Sequence, residues 1–251
     1  MDYSGPPQGE TAVPAPITAC AAGRPVLPVW VNRSGGTTFQ LGDGEGRLFA
    51  KWAPAGSGID LGAEAARLRW AADFTPVPRV LDHGLDAAGQ WLVTAGLPGE
   101  SAVSPRWKAD PKAAVRALGA GLRALHDRLP VDECPFSWSV ERRRARDPDL
   151  DIALAADPAL AVPPPVDRLV VCHGDACAPN TLLDEDGRWS AHVDLGALGV
   201  ADRWADIAIA VWNLDYNYGP GWTDTFYEAY GIAPDPERVA FYRRMGGVSK
   251  V

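Results

Sequence analysis

The sequence predicts an α+β fold of two lobes, a small β-rich one followed by a mainly helical one. Three observations predict it: short alternating stretches separated by glycine turns between residues 29 and 52, a break at Gly96-Leu97-Pro98-Gly99, and a long apolar stripe at helical spacing after Asp110. The chain has 251 residues, enough for two such cores. Residues 1–25, rich in Pro, Gly and Ala, are expected to be a flexible lead-in, with the lobes at 26–97 and 98–251.

In chain order, Val29 to Val31, Thr37 to Leu41 and Leu48 to Trp52 form a β-meander, turned at Ser34-Gly35-Gly36 and at Asp43-Gly44-Glu45-Gly46. Asp60 caps a helix from Leu61 to Ala72 that keeps Leu61, Ala65, Leu68 and Ala72 on one face. Val77 to Leu81 and Trp91 to Thr94 add two strands. Asp110-Pro111 is a cap followed by a first-turn proline, and Val115, Leu118, Leu122, Leu125 and Leu129 mark the stripe of a long helix. Glu141-Arg142-Arg143-Arg144-Ala145-Arg146 and Pro163-Pro164-Pro165 read as a solvated helix end and a rigid connector.

The net charge of −8, from 32 acidic against 24 basic residues, disfavours nucleic acid and anionic membrane as partners and suits a small polycation. No apolar run approaches the roughly 18 residues of a membrane span, and no basic-then-apolar leader opens the chain. The scattered Cys20, Cys134, Cys172 and Cys177 are expected to be reduced thiols of a cytoplasmic protein, and a monomer is anticipated. Cys172 and Cys177 bracket His173 and Asp175, but without a second pair their spacing is poor for zinc.

The chemistry is carried by an apolar run, Leu169 to Cys172, that leads into His173-Gly174-Asp175 and then Asn180. Asp followed five residues later by Asn is the spacing of the protein-kinase catalytic loop, where the Asp takes the attacking hydroxyl's proton and the Asn binds magnesium. Gly174 stands where that pattern has Arg. Thr181 to Leu183, the turn Asp184-Glu185-Asp186-Gly187 and Trp189 to Val193 form a hairpin that returns Asp194 beside Asn180, and carboxylate and amide oxygens suit Mg2+. Upstream, Lys51 is placed to reach the ATP phosphates, Glu64 to orient it, and Ser34, Gly35, Gly36 and Thr37 to offer backbone N–H groups to phosphate. Taken singly, Lys51 and Glu64 read as surface charges; their order relative to Asp175, Asn180 and Asp194 points to a kinase. Because Asp175 holds the base position, His173 is expected to bond within the loop, while His83 and His126 are given no role.

The stretch from His173 to Leu214, with His-Gly-Asp-Ala-Cys-x-Pro-Asn, Val-Asp-Leu-Gly and Gly-Val-Ala-Asp-Arg-Trp-Ala-Asp-Ile-Ala, resembles the aminoglycoside O-phosphotransferases. The likeness extends upstream through Leu125-His126, Asp132 to Phe136 and Phe49-Ala50-Lys51, over most of the chain after about residue 30. It implies a protein-kinase-like fold, transfer of the ATP γ-phosphate to a drug hydroxyl, Asp175 as base, Asn180 and Asp194 as magnesium ligands, and Lys51 with Glu64 on the phosphates. It further implies adenine contacts near Ala95 and Leu97, and Asp206 as a brace of the catalytic loop. Asn213 to Tyr218 and Ala50 to Pro54 look more like enzymes acting on the 3''-hydroxyl of streptomycin than on the 3'-hydroxyl of kanamycin-type drugs, which often carry Arg-Asp where Trp212-Asn213 stands.

Asp215, Asn213, Asp149, Asp151 and Asp224 are the expected contacts to the cationic drug. The segment from Phe136 to His173 is shorter than is usual in the family, and the carboxyl end is basic where the 3' type presents acidic groups. The alternatives are a 3'-phosphotransferase, a related kinase acting on a metabolite such as choline or an amino sugar, and a nucleotide-binding pseudokinase.

Overall fold

The computed structural model describes residues 4–147, 152, 156 and 162–247. Two compact units divide them: residues up to Asp73 with Val77–Pro98, and Phe74–Pro76 with the residues from Gly99 onward.

The first unit is built on an antiparallel sheet of order β1-β2-β3-β5-β4, formed by β1 (Val26–Val31), β2 (Thr37–Leu41), β3 (Leu48–Pro54), β4 (Val80–Leu85) and β5 (Gly89–Ala95). On one face Phe39, Leu41, Ala50, Trp52 and Val93 pack with Ile17 and Ala21 of helix α1 (Ala15–Ala21). The other face meets α2 (Leu61–Ala71), which packs on β4 and β5 and buries Leu61, Ala65 and Leu68. Asp60 starts α2 by accepting the Ala63 N–H at 2.8 Å. Side chains alternate along a strand, so Lys51, between Ala50 and Trp52, turns to the α2 face.

Two expectations change here. The lead-in is not loose over residues 4–21: Gly5 and Val31 exchange both backbone hydrogen bonds, at 2.9 and 2.8 Å, and Ile17 is fully buried. Proline reads as a breaker, yet Pro14 at the N-cap and Pro16 in the first turn are positions where a helix needs no N–H from them. Ile17→Ala is therefore expected to cost about 2–5 kcal/mol of stability, measured by urea unfolding. The strand expected from Val77 starts instead at Val80, because Pro76 and Pro78 have no N–H to give a ladder.

The second unit contains β6 (Glu100–Ser101), α3 (Pro105–Ala109), α4 (Pro111–Arg128), α5 (Val140–Arg146), β7 (Leu169–Cys172), β8 (Thr181–Leu183), β9 (Trp189–His192) and β10 (Gly199–Asp202). It continues through α6 (Trp204–Tyr218), α7 (Thr223–Tyr230) and α8 (Pro236–Gly247). Its sheets are β6-β8-β9 and β10-β7, all antiparallel. Asp110 caps α4 through the Ala113 N–H at 3.2 Å, and the buried stripe of α4 includes Val115, Leu118, Leu122 and Leu125. Glycine lets this helix pack closely: a methyl at Gly121 would sit 2.5 Å from the Trp189 ring, and one at Gly119 would sit 2.7 Å from the Phe226 carbonyl oxygen of α7. The short Phe74–Pro76 stretch joins this unit where the Pro76 carbonyl accepts the His192 N–H at 3.2 Å.

The arginine run is not wholly solvated. Arg143 is buried, stacks over Trp138 and donates to the Met245 carbonyl at 2.9 Å, and burial lowers its pKa. Among the described residues no helix is long and apolar enough to cross a membrane.

Candidate active site

Strand β7 buries Val170, Val171 and Cys172, pairs with β10, and delivers the chain to the loop that starts at His173. Gly174 has φ +86°, a left-handed conformation that a side chain would strain, which explains glycine where the kinase pattern has Arg. The loop hangs from Asp206 of α6. Its Oδ2 accepts the His173 N–H at 2.6 Å and its Oδ1 the Gly174 N–H at 2.8 Å.

His126 of α4, given no role from sequence, completes the anchor. Its Nε2 donates to Asp206 Oδ2 at 3.0 Å, which leaves Nδ1 to accept the Tyr230 hydroxyl at 2.8 Å. Burial of Asp206 opposes its ionisation, but the hydrogen bond from His126, the electrostatic attraction of the nearby His126 and His173 rings and the Gly174 N–H outweigh it and hold its pKa below the usual carboxylate value. His126, Cys172 and Asp206 lie close enough to share a metal, yet Asp206 and both His126 nitrogens are engaged in these hydrogen bonds and Cys172 donates to the Asp202 carbonyl. His173 acts inside the loop: Nε2 donates to the Val193 carbonyl at 3.0 Å and Nδ1 accepts the Asp175 N–H at 3.3 Å.

Asp175 and Asn180 are brought together. Asn180, 7% exposed, donates through Nδ2 to Oδ2 and to the carbonyl of Asp175, each at 3.0 Å. That choice of donor turns Asn180 Oδ1 into the atom available to a cation. Asp175 is reachable by solvent but crowded by protein, and this desolvation, followed by the nearby Asp194 charge, raises its pKa. Asp194, exposed, holds φ +64°, a conformation that costs a non-glycine residue about 1 kcal/mol or more and collects at functional positions. Two neighbouring carboxylates and an amide oxygen are a donor set that fits a hard divalent cation such as Mg2+.

In the first unit Lys51 Nζ lies 2.7 Å from Glu64 Oε1, with Glu64 buried. The Ser34 to Thr37 turn differs from expectation in where its donors point. Gly35 N–H goes to the Asn32 carbonyl at 3.1 Å and Gly36 N–H to Asn32 Oδ1 at 2.7 Å, because so tight a turn consumes its own donors. Near the expected adenine contacts, Arg47 donates to the Leu97 carbonyl at 2.6 Å and the Ala95 N–H donates to Arg79 at 3.0 Å, so the Leu97 N–H is the donor left there.

Of the expected drug contacts, Asp215 and Asp224 are exposed near the end of α6 and the start of α7. Asn213 Oδ1 instead accepts the Ala178 N–H at 2.8 Å. Asp149 and Asp151 lie outside the described residues, as does the end of the basic tail from residue 248.

The chain is 37% identical over 241 residues to an aminoglycoside 3'-phosphotransferase of Streptomyces fradiae, covering 84% of this chain and 90% of that protein. A family model described as a phosphotransferase enzyme family matches residues 32–242. The chain belongs to the aminoglycoside phosphotransferase family. Another member, the streptomycin 3''-kinase of Streptomyces griseus, is 35% identical over 86% of this chain and 89% of that one. The solved aminoglycoside phosphotransferase APH(3'')-Id of Streptomyces rimosus superposes with a TM-score of 0.74 at 31% identity, covering 93% and 96% of the two chains. Its complex with ADP and streptomycin superposes at 0.68. The fold is therefore the family's kinase-like α+β fold, and both the 3' and 3'' subtypes stand among its relatives.

Proposed function

We propose that the protein transfers the γ-phosphoryl group of ATP to a hydroxyl of an aminoglycoside. The observation that carries this is the Asp175 carboxylate, held by Asn180 in a braced loop and left open to solvent beside Asp194. Asp175 accepts the hydroxyl proton while the drug oxygen bonds to the γ-phosphorus, and the bond from that phosphorus to the bridging oxygen breaks to release ADP. Lys51, aligned by Glu64, takes the α and β phosphates. Asn180 through Oδ1 and Asp194 through its carboxylate are the residues that would hold magnesium, and the ion would neutralise charge on the phosphates.

The acceptor is a polycation, which suits the net charge of −8 and the exposed Asp215 and Asp224. Trp212, 45% exposed, and Tyr216, 82% exposed, lie with Asp215 on one face of α6 and offer rings for a sugar to stack on. Streptomycin at its 3''-hydroxyl is the preferred reading, from the Trp212-Asn213 pair. A 3'-hydroxyl of kanamycin or neomycin is the second, favoured by the 37% identity to a 3'-phosphotransferase. A coupled ADP-release assay with MgATP and streptomycin, kanamycin, neomycin or choline separates them. Turnover is expected with an aminoglycoside and not with choline; turnover with choline alone would sink the proposal.

A further inference from the structure

Asn180 sits in a short turn, Ala178–Asn180, that is gripped from outside at every residue around it. On one side Asn213 Oδ1 accepts the Ala178 N–H at 2.8 Å. Asn217, one helical turn further along α6, aims that oxygen by donating from Nδ2 to Asn213 Oδ1 at 2.7 Å and to its carbonyl at 2.9 Å. On the other side Ser101 Oγ donates to the Pro179 carbonyl at 2.9 Å, and the Ala102 N–H to the Thr181 carbonyl at 2.9 Å. The two sides are tied together, since the Tyr218 hydroxyl at the end of α6 donates to the Ala102 carbonyl at 2.8 Å. Helix α6, the Ser101-Ala102 segment and the turn thus close a ring around Asn180.

We infer that Asn213, aimed by Asn217, is a positioning residue that sets Asn180 and through it the Asp175 carboxylate, rather than a contact to the drug. The inference deepens the proposed function and rests on it for its kinetic consequences. An amide oxygen already accepting from a backbone N–H and from a side-chain amide has little capacity left for a ligand. Loss of that oxygen frees the Ala178 N–H, and the turn that carries Asn180 relaxes. The effect belongs in kcat, because a misplaced base and cation ligand act on the reacting atoms and not on drug affinity.

The test compares Asn213→Ala and Asn213→Asp with wild type in the full chain. Asn213→Ala is expected to lower kcat tenfold or more with the drug KM unchanged within about twofold. Asn213→Asp, which keeps an acceptor oxygen, is expected to recover most of kcat. A drug KM that rises in Asn213→Ala at unchanged kcat overturns the inference and makes Asn213 a drug contact. A second readout needs no substrate: the Asn180 side-chain amide protons, followed by NMR, are expected to be protected from exchange in wild type and to lose at least fivefold protection in Asn213→Ala. Equal protection in both proteins overturns the positioning role, even if no drug tested were phosphorylated, so its failure is distinct from failure of the assigned activity.

Discussion

Asp175→Asn is expected to lower kcat with the preferred aminoglycoside by about a hundredfold to ten-thousandfold, the range general bases contribute, while leaving ATP affinity within about twofold. The substitution is close to isosteric, and an amide oxygen in place of Oδ2 still accepts from Asn180 Nδ2, which now bonds the carboxylate at 3.0 Å. What disappears is the ability to take the hydroxyl proton. Lys51 and Glu64 are untouched, so a nucleotide-binding titration should show little change. A variant with wild-type turnover would remove Asp175 from the base role.

The second large effect is on stability. Asp206→Ala is expected to cost about 3–5 kcal/mol, because it strips three buried donors, the N–H groups of His173 and Gly174 and the His126 ring, of their acceptor. For a chain of this size that corresponds to a fall in Tm of about 10 °C. The pH dependence has a definite sign. The folded Asp206 pKa is depressed, so the stability it supplies is complete above the ordinary carboxylate range and is lost as pH falls through the folded value. The gap between wild type and Asp206→Ala should therefore be flat near pH 7 and narrow below about pH 4, as read by denaturant unfolding at a series of pH values. A gap that widened on acidification would contradict the depressed pKa.

Much of the site was legible because its signals are local. Asp175 and Asn180 sit on one loop, the hairpin that returns Asp194 is short, and Lys51 and Glu64 come in kinase order. The features that were not legible depend on distant partners. His126 looks like one more residue on a buried helix face, and nothing in its neighbourhood announces an aspartate 80 residues onward. Arg143 stands in a run of like charges, which is ordinarily solvated; only the fold brings the Met245 carbonyl to it. Asn213 suggested a drug contact by its place in the family-like stretch, while its partner Ala178 is supplied by the returning chain. Composition misled at the amino end, where proline and glycine usually signal irregular backbone but here start a helix and pair with β1.

The Phe74–Pro76 stretch bears on the order in which the protein is made. It lies amid residues of the first unit yet rests in the second, where Thr75 is buried and Pro76 meets His192 of β9. The ribosome must add roughly a hundred further residues before that strand exists, an interval on the order of ten seconds at ordinary translation rates. A nascent chain long enough for Pro98 to have emerged from the ribosome therefore has its five sheet strands to hand while Phe74–Pro76 waits for its partner. In such ribosome-bound chains this segment should be the spot where added protease cuts, and the cut should vanish once His192 has emerged from the ribosome and β9 can form.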